Sequence, residues 1–309
     1  MNKLLFKNAY DQYLKYVDVK QKNQSKRSIE DIFENHILKY YKNKNIYEFN
    51  YNDYIEFQSR ILKNKYKYTY LKKIHYTFSG FLEYCVNFLG LEKNVCKIVG
   101  CFKKDINSKI EHKIYNHKEF KKFIKQIKYY PDKILFKFMY FYGPRPGETM
   151  ALKFSHINNK IHIKENLEEH INKETGKRET TTPKSISSNR YINIDIILKY
   201  ELKKLKNFYI KKYKNENYDY YVFGGIKPLA PTTLRRKIKK YSSLAKIKYI
   251  KPHEFRHSNA SFLFNKKIPL EIISERLGHA NKSITLDNYI HNLKKEKRVN
   301  ITLLLSRLF

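Results

Sequence analysis

Arginine is scarce in this chain, 11 of its 64 basic residues, so an arginine set in a rigid turn is more than a surface charge. Arg145 stands in Gly143-Pro-Arg-Pro-Gly-Glu148, a turn at a predicted helix start, followed by Leu152. Such a turn would fix a guanidinium for bidentate binding of phosphate. A second cluster, His253-Glu-Phe-Arg-His-Ser258, comes directly after Pro252. A third, Leu277-Gly-His-Ala-Asn281, has Tyr289 ten residues beyond His279. Glu148 either orients Arg145 through a salt bridge or simply begins a helix. His257 either packs or caps, or supports the arginine beside it.

His253-Glu-Phe-Arg-His257 also satisfies H-E-x-x-H, in which two histidines on one helical face bind zinc and the glutamate serves as base. A zinc metallopeptidase would need a further ligand, for which Glu271, Glu275 or His279 could be proposed. It would also place Arg256 beside a cation and leave the Arg145 turn, Tyr289 and the charge unexplained. Glu254 is then a carboxylate favoured near a helix N-terminus. We expect no metal and no cofactor.

The net charge is +35, from 64 Lys and Arg against 29 Asp and Glu. An A+T-rich coding sequence alone would raise lysine, but it equally permits Asp and Glu, so the surplus still asks for a polyanion, nucleic acid first. No apolar stretch approaches the roughly 20 residues that span a bilayer, and no amphipathic anchor helix stands out, so a cytoplasmic, nucleoid-associated protein without a membrane partner is expected. The three cysteines, Cys85, Cys96 and Cys101, form no CxxC pair and are read as reduced core thiols.

The elements that must position these residues divide in two. All eight prolines lie at or after Pro131, and only three of nine glycines precede Gly143, so the first third reads as helical. Helices are predicted over residues 5–17, 28–40, 52–63 and 69–89, with Tyr54, Phe57 and Ile61 on one face. Lys63, Lys65, Tyr66 and Lys67 interleave cations with aromatics, either for phosphate and sugar contact or as a solvated loop. A basic, apolar-poor segment, 103–113, reads as the linker, giving domains 1–110 and 111–309. Beyond it, helices are predicted over 117–129 and 132–142, edge strands over 159–163 and 190–194, and between them a turn-rich hydrophilic connection over 174–185. A helix over 232–245, capped by Thr232 or Thr233, carries Arg235, Arg236, Lys237, Lys239 and Lys240 either along DNA or on a solvated face.

Together and in this order the three motifs resemble the tyrosine recombinase (phage integrase) family, whose fingerprint is G-x-R-x-x-E, a hairpin Lys, H-x-x-R-H, L-G-H and Tyr. The match covers residues 115–295; before that the likeness is one of length, basicity and helices. The resemblance implies a mainly α fold with a small antiparallel β-sheet in the catalytic domain, and a two-domain, C-shaped clamp. It makes Arg145 and Arg256 the phosphate-clamping arginines, His253 and His279 the flanking histidines and Tyr289 the nucleophile. Lys184, in Thr181-Thr-Pro-Lys-Ser185 ahead of Ser188-Asn-Arg190, becomes the hairpin lysine, although Lys173 and Lys177 could also sit in such a hairpin.

The chemistry suits these residue types. Two forked guanidinium groups neutralise the oxygens of a pentavalent phosphorus transition state. A phenol of pKa about 10 needs nearby cations and histidine to attack at neutral pH. A lysine whose pKa is lowered by surrounding charge can protonate the departing sugar oxygen. The resemblance thus implies a site-specific DNA recombinase working through a 3′-phosphotyrosyl intermediate, on short core sites in double-stranded DNA, as a homotetramer, with room for accessory DNA-bending proteins. Within the family we expect the integrase or excisionase type of a mobile element. The chain begins almost at its first predicted helix, with no room for an arm-binding domain, and the step from His279 to Tyr289 looks more like transposon and phage relatives. The alternatives are a chromosome dimer resolvase or a DNA invertase, or a DNA-binding protein without catalysis. The apolar segment 301–309 is expected to dock on a neighbouring protomer or on its own domain.

Overall fold

Phe6, Ala9, Tyr10, Tyr13 and Val17 recur at three- and four-residue steps, and all five are buried along helix α1 (Phe6–Lys20). The structure, a computed structural model, describes residues 3–20, 23–103, 113–172, 175–182 and 188–278. Contacts divide the chain into two compact units, Met1–Ile110 and Glu111–Phe309, each with its own apolar core.

In the first unit, α2 (Asn23–Ile32) runs through a π-helical turn, Phe33–Ile37, into α3 (Leu38–Tyr41). The sequence predicts one plain helix here, starting later. Nothing in residues 23–27 breaks a helix, and the wider turn carries Phe33, His36 and Ile37 inward. Asn50 caps α4 (Tyr51–Leu62) by accepting from the amides of Asn52 and Asp53, while Asp53 accepts from the Asn50 amide. Tyr54, Phe57 and Ile61 are buried, as their spacing predicts. The long α5 (Tyr68–Leu89) ends at Gly90, whose φ of +72° only glycine adopts cheaply. The short α6 (Val95–Val99) completes the unit. Phe6 lies within 6.1 Å of the rings of Tyr41, Phe49, Phe78 and Phe81, so aromatic rings form the centre of this core. Cys85 and Cys96 are buried free thiols, and Cys101 is half-buried.

The second unit opens with α7 (His117–Lys125), capped reciprocally by Asn116 and Glu119. It stops short of the predicted end because Pro131, in the first turn of α8 (Tyr130–Tyr142), fixes a new helix start. Phe120 stacks on Tyr140 at 3.8 Å and ties the two helices. The short α9 (Pro146–Ala151) follows the Gly143 turn. Four strands come next: β1 (Lys160–Ile163), β2 (Asn166–Leu167), β3 (Thr180–Thr181) and β4 (Arg190–Asn193). β1 pairs antiparallel with β4, with Ile161 opposite Ile192 and Ile163 opposite Arg190, and β2 pairs with β3. Among the described residues the small sheet is thus two two-stranded pieces, and β3 lies inside the stretch read as a hydrophilic connection.

Helix α10 (Ile196–Tyr213), which the sequence reading leaves unassigned, starts from an Asp195 cap. After α11 (Pro231–Leu244), α12 (Glu254–Asn265) packs on α8, and α13 (Leu270–Leu277) packs on α12. Neither Thr232 nor Thr233 caps α11. Ala230 holds that position, and Pro231, whose ring presets the helical φ, begins the helix without needing a capped N–H. Lys237 turns inward from α11, donating to the buried Asp132 carboxylate at 2.7 and 2.8 Å, which also accepts from the Tyr241 hydroxyl. No helix among the described residues is long and apolar enough to cross a membrane.

Candidate active site

The site is assembled at the turn between α8 and α9. Gly143 ends α8 with φ +64°, and a Cβ there would lie 2.6 Å from both the Asn259 amide oxygen and a Leu277 methyl. Glycine is therefore demanded twice, by conformation and by the close approach of α12 and α13. Two prolines flank Arg145, and the second starts α9. The Arg145 amide and Nη1 donate to Oε2 and Oε1 of Glu148, each at 2.8 Å. Nη1 also reaches Ser188 Oγ at 3.1 Å, and Nη2 reaches the Gly278 carbonyl at 2.9 Å. Of the two readings of Glu148, both hold: it is in the first turn of α9 and it orients Arg145.

From α12, Arg256 comes to the same turn. The residue is 2% exposed and its Nη1 donates to the Gly143 carbonyl at 3.1 Å. Asn259, one turn on, donates to the Tyr140 carbonyl at 2.8 Å and fixes the helix against α8. The two arginines, 111 residues apart in sequence, thus meet at one tripeptide. His253 is exposed at the N-terminus of α12, and its ring lies 5.2 Å from that of His257. Glu254 lies in the first turn of α12, as expected, and accepts from the Lys251 amide. Among the described residues no group of three or more His, Cys, Asp or Glu side chains gathers as a metal site.

Sequence reasoning missed Arg190. At the start of β4 it grips Glu148 with both nitrogens, Nη1 to Oε1 at 3.0 Å and Nη2 to Oε2 at 2.9 Å, and its Nε donates to the Arg276 carbonyl at 3.0 Å. Its rarity as an arginine was the one available signal. Burial raises the Glu148 carboxyl, but Arg190 and Arg145 outweigh it and hold it below its usual range.

Asp195 is likewise held low: burial raises it, and bonds from the Tyr142 hydroxyl and the Leu198 amide overcome that. Both carboxyls bind protons more weakly folded than unfolded. Their stabilisation is therefore complete above the ordinary values of 4.5 and 3.8 and lost as pH falls through the lower folded values. Urea midpoints measured from pH 6 down to 3 should fall, and the fall should be shallower in Asp195→Asn; an unchanged slope would remove Asp195 from this account.

Of the remaining predicted residues, Lys63, Lys65, Tyr66 and Lys67 are exposed on the turn between α4 and α5, where Lys65 has φ +50°. Tyr66 packs edge-on against His36 and Tyr70. Arg236 and Lys239 are exposed on α11, but Arg235 is paired with Glu169 and is not an unengaged cation. Lys184, His279, Tyr289 and the segment 301–309 lie outside the described residues, as does most of the predicted linker.

Residues 113–296 match the model of the phage integrase family. A XerC-like tyrosine recombinase of Caldanaerobacter subterraneus subsp. tengcongensis is 30% identical over 249 residues, 74% of this chain and 63% of that protein. The chain thus spans somewhat under two thirds of that relative. The ICEBs1 integrase of Bacillus subtilis is 26% identical over 92% of this chain and 79% of its own length. In fold, the chain resembles the Tn1549 transposon integrase, solved in complex with transposon right-end DNA, with a TM-score of 0.75, 16% identity, and coverage of 98% of this chain and 100% of that one. With the arginine pair meeting at the Gly143 turn and more than half the chain matched, the protein belongs to the phage integrase family, the tyrosine recombinases.

Proposed function

We propose that this chain is a site-specific DNA recombinase of a mobile element, cutting and rejoining strands through a 3′-phosphotyrosyl intermediate. Arg256 docks on the same Gly143 turn that bears Arg145, and this carries the reading, because two fixed forks held by one turn suit the oxygens of a single phosphodiester. The Tyr289 oxygen attacks phosphorus, and the bond to the 5′-oxygen breaks. That oxygen takes a proton from Lys184, while His253 and His279 assist transfer of the phenol proton and stabilise the charged phosphoryl group. Attack by a second 5′-hydroxyl reverses these steps, and the phosphotyrosyl ester conserves the bond energy, so no ATP enters.

Joining four strands from two duplexes calls for a homotetramer on DNA, with accessory DNA-bending proteins where sites must be brought together. The unit 1–110 serves as the core-site DNA-binding domain and 111–309 as the catalytic domain. Lys63, Lys65, Tyr66 and Lys67 in the first, and Arg236 and Lys239 in the second, contact the DNA backbone, and such binding weakens steeply with salt. A mobile-element role, in place of dimer resolution or inversion, is favoured by the ICEBs1 integrase, which aligns with 92% of this chain.

The test uses purified protein and labelled DNA from both flanks of its own gene, carrying nicks that trap the adduct, in EDTA. A covalent band on a denaturing gel is expected, and after nuclease digestion the nucleotide remnant should map to Tyr289. A remnant on another residue would move the nucleophile; salt-sensitive binding without a band on any flank would reduce the reading to DNA binding.

A further inference from the structure

Glu148 is 3% exposed and receives four hydrogen bonds: Oε1 from Nη1 of both Arg145 and Arg190, and Oε2 from the Arg145 amide and Arg190 Nη2. Those four donors fill the carboxylate's acceptor sites. The two arginines differ in setting. The Arg190 side chain is 8% exposed and that of Arg145 is 31% exposed. Two guanidinium groups against one carboxylate leave one net positive charge, and the exposed partner is the one that can present it. Were Arg145 alone with Glu148, the pair would be neutral and a phosphate would find its charge already spent.

We propose that Arg190 is a positioning residue for strand cleavage, serving as the counter-ion of Glu148 so that Arg145, geometrically held by the same carboxylate, keeps its charge for the scissile phosphate. This rests on the recombinase reading above. The geometry is adapted to that division of labour. Arg190 engages Glu148 as a parallel fork, the strongest arrangement for an arginine and a carboxylate. Arg145 uses only one side-chain nitrogen and its amide on the same group. Arg190 also holds the Arg276 carbonyl while Arg145 holds that of Gly278, so both arginines are registered against the same end of α13. Ser188 joins the set from the residue pair before β4, its carbonyl accepting from Arg190 and its hydroxyl from Arg145.

The decisive measurement is the single-turnover rate of adduct formation at saturating nicked DNA. Arg190→Gln leaves Glu148 to neutralise Arg145, and the rate should fall about 100-fold with DNA affinity little changed. Arg190→Gln/Glu148→Gln restores one net charge at Arg145 and should recover at least about tenfold of that loss. A purely structural role predicts the reverse, since the double variant lacks more interactions than the single one. A double variant no faster than Arg190→Gln, or an Arg190→Gln protein as fast as wild type, overturns the proposal. If Arg190→Gln does not fold, the double variant, which has no buried carboxylate left unpaired, decides alone: cleavage above background upholds the counter-ion role, and a folded, inactive protein ends it. Wild-type protein run in parallel separates this from the parent reading, because only failure of that reading would leave wild type without an adduct.

Discussion

Replacing Arg256 with lysine is expected to slow adduct formation about 1,000-fold while leaving DNA retention nearly unchanged. Arg256 is buried and holds the Gly143 carbonyl through Nη1, so its value lies in presenting its donors in one fixed plane. Lysine keeps the charge but concentrates it at one rotating ammonium, which cannot hold the carbonyl and two phosphate oxygens in the same geometry. The rate is read from single-turnover adduct formation, with a thermal melt to show that the fold is intact. A rate within tenfold of wild type in a folded protein would take Arg256 off the phosphate.

Gly143→Ala should lower both stability and rate. A non-glycine residue in the left-handed region costs about 1–2 kcal/mol, and overpacking a filled site adds about 1–3 kcal/mol. Relief is blocked, because Asn259, one of the two groups that the new methyl meets at 2.6 Å, is held by its bond to the Tyr140 carbonyl. The melting temperature should drop by about 5–15 °C. Because the Gly143 carbonyl positions Arg256 and the next turn positions Arg145, a displacement of about 1 Å would also cost on the order of 100-fold in rate. A melting temperature equal to wild type would mean that the turn relaxes in a way this packing does not allow.

The first unit was largely legible because its signals are local. Tyr54, Phe57 and Ile61 recur at helical spacing, although the Asn50 and Asp53 cap that starts their helix went unread. What escaped was the π turn at Phe33–Ile37, since one extra residue in a turn leaves no local mark in an otherwise periodic stretch. Helix α10 was passed over because its outward face carries Ile196, Ile197 and Tyr200, all exposed, which blurs the apolar stripe of Leu198, Leu202 and Leu205. At the site, Arg145, Glu148 and Arg256 were legible as types in turns and motifs. Arg190 was not, because its role is created by tertiary pairing with Glu148, 42 residues earlier. The same holds for Arg235, whose partner Glu169 sits in a loop that no helical pattern would bring near.

The grip of Arg145 and Arg190 on the carbonyls of Gly278 and Arg276 also bears on where the proposed nucleophile can reach. Those bonds make the end of α13 an anchor, and freeing it would sacrifice two charge-assisted hydrogen bonds of about 1.5–3 kcal/mol each. Tyr289 lies 11 residues beyond Gly278, a length of chain that spans at most about 40 Å when fully extended. On the proposed assignment, the arginines that hold the phosphate also fix where that span begins, so the phosphate can lie no more than about 40 Å of backbone from the anchored end of α13.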